Sequence, residues 1–465
     1  MTKRCVLALA FLVHSSLLMA NTPLFLTSLE EAIEAAEKNN LGWFAAKTES
    51  ESAVIRLDMH RKMFLPSVEG FANTQRKRSS YTDKSNLPPE RQSETSNQVG
   101  VRLKQNLFSG LSTYNSMKAS EEELNVAKQK LRANEQKLIL GIIDSYSSVW
   151  FFLQKVAALK KKEGNFLKTL RSQESSLEAG VSTPPEVADA SANYQKAVFE
   201  RIHAETELLS AESEFEKMTG VKISRSIILP DLKIELPDTL DKLIKLALTN
   251  NSSVLAAKFQ EKAALKSLNS ARGHLAPSCD LSLSASRDMT KRHNLDNPDD
   301  LHDMKHRGTN CTVSLDVTIP IYSNDQHRGN TFSQIGLANQ AAIKARLEAG
   351  DMVLEIKKDC TVTWNTYVSA AALIKASRIA VNSAELSSEG DLKGRALGMK
   401  SNSDLWVKEN NLLESRVALA NSQKQKLVAA VKLLALSGVL SIQFMREKLH
   451  KPATAKREVV SKNKF

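Results

Sequence analysis

Few residues in this 465-residue chain have the types and spacing that support bond-making chemistry. The densest set is His293, His302, Asp303 and His306, in which two histidines four apart stand beside a carboxylate, the beginning of a metal site. No cysteine or further spaced ligand joins them, and a polar surface loop accounts for all four, so no metal and no cofactor is expected. Cys279 and Cys311 share an apolar strand face on neighbouring hairpin arms, which leaves a bridge and two free thiols facing lipid both open. No nucleotide-binding glycine loop, zinc-protease motif or serine elbow is present. The chain reads as a non-enzyme, and its function must lie in the elements that hold these groups.

Those elements are written twice. SLEEAIEAAEKNN at 28–40 returns as TLDKLIKLALTNN at 239–251, so Leu29 meets Leu240 and Asn40 meets Asn251 at an offset of 211. Leu65–Pro66 meets Ala276–Pro277 at the same offset. The register then drifts: LFSG from Leu107 meets IYSN from Ile321 at 214, and Gly180 and Gly220 meet Gly398 and Gly438 at 218. A repeat of this length is a structural half that must pack against its twin, and is far too long for a solenoid unit.

The opening MTKR followed by CVLALAFLVHSSLLMA reads as a secretory signal peptide over 1–20, and no later stretch approaches the ~20 apolar residues of a spanning helix. The formal charge of +12 falls to +10 without Lys3 and Arg4, and half of that lies at the end: residues 446–465 carry seven basic and two acidic side chains and read as a disordered tail. The remaining basic residues are scattered, which argues against a nucleic-acid partner.

Between Gly110 and Gly180 the chain lacks proline and is rich in helix formers. Leu124, Leu131 and Leu138 fall seven apart, as do Ile142, Val149 and Val156, a coiled-coil seam that shifts register partway. At ~1.5 Å per residue this helix reaches ~100 Å. The runs 28–64 and 184–219 are each about half as long and match it when stacked end to end; 240–275 and 402–437 stand in the same relation to 325–397. Trp150 and Trp364 occupy equivalent positions ~60 Å below the strands, where packing is the expected role.

Four segments between the helices alternate. SCDLSLSAS and NCTVSLDVTI place Cys279, Leu281, Leu283 and Ala285, and Cys311, Val313, Leu315, Val317 and Ile319, on one face, with Ser, Asn, Thr and Asp on the other. In the first half QVGVRLKQN sets Val99, Val101 and Leu103 against Arg102 and Lys104, and SVEGFANTQ is the weakest of the four. Each is ~10 residues long, the length of a tilted membrane-crossing strand, and the connections 78–97 and 288–308 are polar. Four strands cannot close on themselves, and open edges in lipid leave backbone groups unpaired at several kcal/mol each. Two copies give too narrow a barrel for a lumen; three, with twelve strands, is the smallest sufficient number.

On the doubled LxxAIxxAxxNN opening, the two helix-ending prolines and PIYSN at 320–324, residues 28–440 resemble the TolC family of outer-membrane efflux proteins. The family's Pro-Leu-Phe-Asp/Asn-Gly-Gly turn is partly kept, with Asn106 in place of its proline and Asp325 where glycine is common. The resemblance implies a homotrimer, mainly α with a twelve-stranded membrane β-barrel, continuing into a coiled-coil tunnel across the periplasm. It also implies location in the outer membrane of a Gram-negative-type cell, contact with outer-membrane lipid, and partnership with a periplasmic adaptor and an inner-membrane pump in efflux or type I secretion. The gate should then lie where long helix turns to short, near Gly180 and Gly398, the tips that would meet the adaptor. Asp404 matches the first of two aspartates that ring the tunnel entrance in family members, Val407 replaces the second, Lys400 stands at an arginine position, and Glu186 is the first-half equivalent of Asp404. Three carboxylates around a narrow axis attract cations, whereas a helix's first turn also favours negative charge for its own sake.

The expected organisation is therefore a signal peptide at 1–20 and a first repeat at 21–227, with strands near 67–77 and 98–107 and a long helix near 110–178. A second repeat at 228–445 has strands near 278–287 and 309–319 and a long helix near 325–397, and the basic tail occupies 446–465. The rival class is a non-conducting periplasmic or outer-membrane coiled-coil scaffold or adaptor protein.

Overall fold

The computed structural model describes residues 26–81, 90–230, 232, 234–294, 305–321, 324–325, 329–396 and 402–450. Its first half runs α1 (Leu29–Asn39), α2 (Leu41–Lys62), β1 (Ser67–Tyr81), β2 (Glu90–Ser109), α3 (Ser112–Glu178) and α4 (Pro184–Thr219). The second runs α5 (Leu240–Asn250), α6 (Ser252–Gly273), β3 (Ser278–Asn294), β4 (Lys305–Thr318), a minimal hairpin β5 (Asn324–Asp325) and β6 (Gly329–Asn330), α7 (Thr331–Ala396), α8 (Asn402–Leu436) and α9 (Ile442–His450). The duplication is thus structural: α1, α2 and β1 begin 211 residues before α5, α6 and β3. The registers part at the strand-to-helix turn. The first half makes it within Gly110 and Leu111, both left-handed, and a Cβ on Gly110 would lie 2.1 Å from the Gly273 carbonyl oxygen. The second half takes the longer route through β5 and β6.

The asparagine pairs explain the doubled opening. The run expected as one helix over 28–64 is two, because Asn40 ends α1 in extended backbone (φ −75°, ψ 112°) and begins α2 by accepting a hydrogen bond from the Trp43 N–H at 2.9 Å. Its amide donates to the Met218 carbonyl at 2.9 Å, and that of Asn39 to the Thr219 carbonyl at 3.0 Å. Asn251 repeats the arrangement, accepting from Ser253 and Val254 and donating to the Leu436 carbonyl at 3.1 Å. Each pair therefore joins the foot of an upper short helix to the head of a lower one, α2 to α4 and α6 to α8. Stacked in this way they run alongside the single long helix. Gly220 and Gly438, with φ of 71° and 76°, end the lower helices at these joints, and added Cβ atoms would press on Asn39 and Asn250.

All four long strands form one antiparallel sheet in the order β1-β2-β3-β4, so that β2 and β3 join the two repeats and β1 and β4 are free edges. The strands outrun their predicted lengths. The segments expected as loops, 78–97 and 288–308, are largely paired, since Tyr81 faces Glu90 and Lys291 faces Lys305. Alternation of polar residues with Thr, Tyr and Arg carries the ladder past the apolar stretch, a continuation that hydropathy alone does not mark.

The sheet has no core of its own. The main core lies among the helices, where Ile139, Ile142, Ile143 and Val149 of α3 meet Ile33 of α1, Phe215 of α4, Val431 of α8 and Met445 of α9, all 1 % exposed or less. A smaller one joins Leu243 of α5, Cys360 of α7 and Leu433 of α8. Trp150 and Trp364 pack partly buried against these two cores, as expected. Of the predicted seam, Leu138, Ile142, Val149 and Val156 are buried, and Leu124 and Leu131 half-buried. Part of the segment expected as a tail from 446 is helical: Arg446–His450 belong to α9, where Leu449 packs on the main core and Arg446 pairs with Glu37 at 2.7 Å. Residues 1–25 and 451–465, with the expected signal peptide and the rest of the tail, lie outside the described residues.

Candidate functional site: the strand wall and the helix-hairpin tips

Strand register sorts the sheet into two chemically distinct faces. Val68, Leu103, Leu283 and Val313 share one row, and Val101, Ala285 and Cys311 fill the next row up on the same face. These side chains are uncovered: Val68 is 66 %, Val101 53 % and Val313 65 % exposed. A soluble sheet buries such a face, and here no described helix lies over it. The opposite face carries Lys104, Arg102, Asp280, Ser282, Ser284, Asp288 and Asp316, cross-linked by Ser282–Ser314 at 2.6 Å and by Asn106 to Asp280 at 2.8 Å. A bulge between Asn106 and Phe108 bends the foot of β2 towards α3. One apolar and one hydrated face is the cross-section of a barrel wall.

Cys279 and Cys311 do share the apolar face, but Cys279 faces Val317 and Cys311 faces Ala285. Six residues of strand separate them, roughly 20 Å, so both are free thiols. Of the histidine set, His293 and His306 sit on β3 and β4, opposite Ser93 and Thr290, while His302 and Asp303 lie outside the described residues. Among the described residues no cluster is arranged to hold a metal. No described helix is long and apolar enough to cross a membrane.

Laterally, α3 packs against α2 and α6 above and against α4 and α8 below, and α7 packs against α6 and α8. The borders of this curved wall are therefore α2 and α4 on one side and α7 on the other, continuing the free edges β1 and β4. Both borders expose apolar side chains, among them Ile55 and Met59 on α2, Phe199 on α4, and Leu347, Leu354 and Leu386 on α7, the last two 63 % and 71 % exposed.

At the far end from the strands, α3 turns into α4. Gly180 adopts φ 72° and its N–H bonds the Leu177 carbonyl at 2.9 Å, closing the helix C-terminus. Glu186 completes the other side of the tip. Its carboxylate accepts from the Thr183 N–H at 2.8 Å and the Ser182 hydroxyl at 2.7 Å, and the Thr183 N–H foremost holds its pKa below the usual 4.5. The second tip is largely outside the described residues. Gly398 and Lys400 fall there, and Asp404 is described only as backbone in the first turn of α8. Val407 is 52 % exposed on α8.

Above the tips stands a polar clamp that periodicity did not indicate. Lys162 of α3, its side chain 15 % exposed, reaches Glu200 of α4 at 3.1 Å and Glu414 of α8 at 2.9 Å. Burial alone would lower its pKa, and the two carboxylates outweigh that and raise it above 10.5. Lys161 pairs with Glu409 of α8 at 2.5 Å, and buried Asn165 donates to Glu409 and Asn410 at 3.0 and 3.3 Å. The run Lys160–Lys161–Lys162 was the available signal; its partners lie far away in sequence.

Residues 32–221 and 243–439 match the family described as outer membrane efflux protein, one stretch for each repeat. The outer membrane efflux protein BepC of Brucella suis is 25 % identical over 439 residues, covering 93 % of this chain and 90 % of that one. The outer membrane protein TolC of Vibrio cholerae is 22 % identical, covering 94 % and 96 %. Among solved structures, the CmeC outer membrane channel of Campylobacter jejuni superposes with a TM-score of 0.71 at 16 % identity, covering 90 % of this chain and 89 % of that one. With its two matched repeats, its half-apolar four-stranded sheet and its long helical hairpins, the chain belongs to the outer membrane efflux protein family.

Proposed function

We propose that three copies of this chain close into a twelve-stranded barrel in the outer membrane, continued by a helical tunnel into the periplasm, and that the assembly is a passive exit duct. The observation that carries this is the sheet: one uncovered apolar face, one polar face, and two free edges that continue into two apolar helical borders. Since β1 and β4 are antiparallel to one another through the order β1-β2-β3-β4, joining β4 of one copy to β1 of the next preserves antiparallel pairing all round. Twelve strands give a lumen lined by Lys104, Arg102, Asp280 and Asp316. No bond is made or broken; the residues line a wall and do not act as catalysts.

In this reading the tips at Gly180 and Gly398 receive a periplasmic adaptor that couples the duct to an inner-membrane pump, in efflux or type I secretion. Asp404 with Lys400, and Glu186 beside them, form the charged entrance. Glu186 also caps its own helix, so its contribution to an entrance ring is tied to the integrity of the tip. The purified complex in a planar bilayer tests the reading. A steady ion current whose cation preference falls in Asp404→Ala is expected. A trimer that inserts and carries no current would return the chain to the class of non-conducting scaffolds, and an unchanged selectivity in Asp404→Ala would remove that residue from the gate.

A further inference from the structure

The outward face of the sheet changes character abruptly above its apolar band. On β3 the outward positions run Cys279, Leu281, Leu283 and Ala285, and the next ones are Arg287, Met289 and Lys291. On β1, Val68 and Ala72 give way to Thr74, Arg76 and Arg78; on β4, Val313 and Cys311 give way to Thr309 and Arg307. The ladder between these rows has no bulge, so the alternation holds and all five basic residues share the apolar side. They are exposed, and among the described residues none pairs with a carboxylate. Arg76 and Lys291 flank Thr95 in a single row, and Arg76 donates to the Ser93 hydroxyl at 3.3 Å.

The described carboxylates of the sheet are distributed the other way. Glu69, Glu94, Asp280, Asp288 and Asp316 all alternate onto the inner face, where Glu94 already pairs with Arg292 at 3.2 Å. An evenly solvated hairpin would scatter both signs over both sides. Here a single sign stands immediately beyond the apolar run, which covers roughly 20 Å of strand from Cys279 to Ala285 and from Cys311 to Val317.

We propose that Arg76, Arg78, Arg287, Lys291 and Arg307 form a collar that binds the phosphorylated headgroups of the lipid leaflet surrounding the strand tips. The inference rests on the barrel reading above, because it needs the apolar face to be in lipid. Five guanidinium and ammonium groups per copy, fifteen around a closed trimer, match a densely phosphorylated glycolipid surface better than a zwitterionic one. The collar would set the depth of the barrel and keep a shell of anionic lipid around it.

The test titrates the detergent-purified trimer with diphosphoryl lipid A and, separately, with the same lipid stripped of its phosphates, counting bound lipid by native mass spectrometry. Two triple variants of equal charge loss are compared, R287Q/K291Q/R307Q on the outer face and K77Q/K104Q/R292Q on the inner. Diphosphoryl lipid is expected to bind wild type and the inner-face variant alike, to bind the outer-face variant at least about tenfold more weakly, and to be released by raised salt. The collar is overturned by equal binding of the dephosphorylated lipid, by equal losses in both variants, by full retention in the outer-face variant, or by displacement of the lipid by inorganic pyrophosphate at matched concentration, which would mark a soluble-anion site. Conductance of the same preparations separates the two readings: a conducting trimer without lipid preference retires the collar alone, whereas a chain that forms no conducting trimer retires the barrel as well.

Discussion

Replacing Lys162 by methionine keeps the aliphatic stem and removes a charge on α3 that touches both α4 and α8. The arm to Glu200 lies between side chains 15 % and 30 % exposed and is worth about 1–2 kcal/mol; the arm to Glu414, whose carboxylate is 63 % exposed, is discounted to about 0.5 kcal/mol. The larger arm falls on the attachment of α4 to α3, the smaller on that of α8 to α3, and neither on the main core. Hydrogen exchange should therefore quicken by about tenfold around Glu200 of α4 and by about twofold around Glu409 to Arg416 of α8, while α1 and the middle of α3 stay protected. A cycle with Glu414→Gln should show a coupling of about 0.5 kcal/mol. pH gives a second check. The raised Lys162 pKa makes its contribution complete below the unfolded value near 10.5, and the contribution is lost as pH rises through the higher folded value. Wild-type α8 should loosen above that point, and the methionine variant should show no such step. Unchanged α8 exchange in Lys162→Met, or strict additivity with Glu414→Gln, would refute the clamp.

Asn40→Ala removes both a helix cap and the hydrogen bond to Met218, and should cost about 1–3 kcal/mol in chemical denaturation, with Asn251→Ala giving a similar loss. Val313→Arg places a charge on the apolar face and should lower stability in bilayers by about 2–4 kcal/mol, whereas Thr312→Arg, on the polar face, should fold and shift ion selectivity; equal tolerance of both would contradict the face assignment. For Glu186 the depressed pKa means that its stabilisation is present above the unfolded value near 4.5 and disappears as pH falls through the lower folded one. Amide exchange at Thr183 and Glu186 should accelerate over that acid range in wild type, and Glu186→Gln should abolish the dependence.

The elements whose physics is periodic were legible. Seven-residue spacing over 110–178 marked α3, and strict alternation marked both the apolar run of the strands and the face that Cys279 and Cys311 share. Duplication supplied what a single pass could not, since the weak strand at Ser67 gains its identity from its counterpart at Ser278. The failures share a cause, which is that partners distant in sequence decide them. The break at Asn40 depends on carbonyls 178 residues away, the charged upper ladders depend on pairing with equally polar neighbours, and α9 depends on a core assembled from both repeats. The Lys162 clamp was invisible for the same reason. The entrance assignments to Asp404, Lys400 and Gly398 came from family resemblance, and the described residues add only the α8 backbone to them.

Whether three sheets close one another's edges is decided by the mass of the detergent-solubilised complex. Three chains per particle are expected, with precipitation when detergent is withdrawn. A single chain, stable and soluble in plain buffer with the apolar face of β1 to β4 uncovered, would contradict that closure.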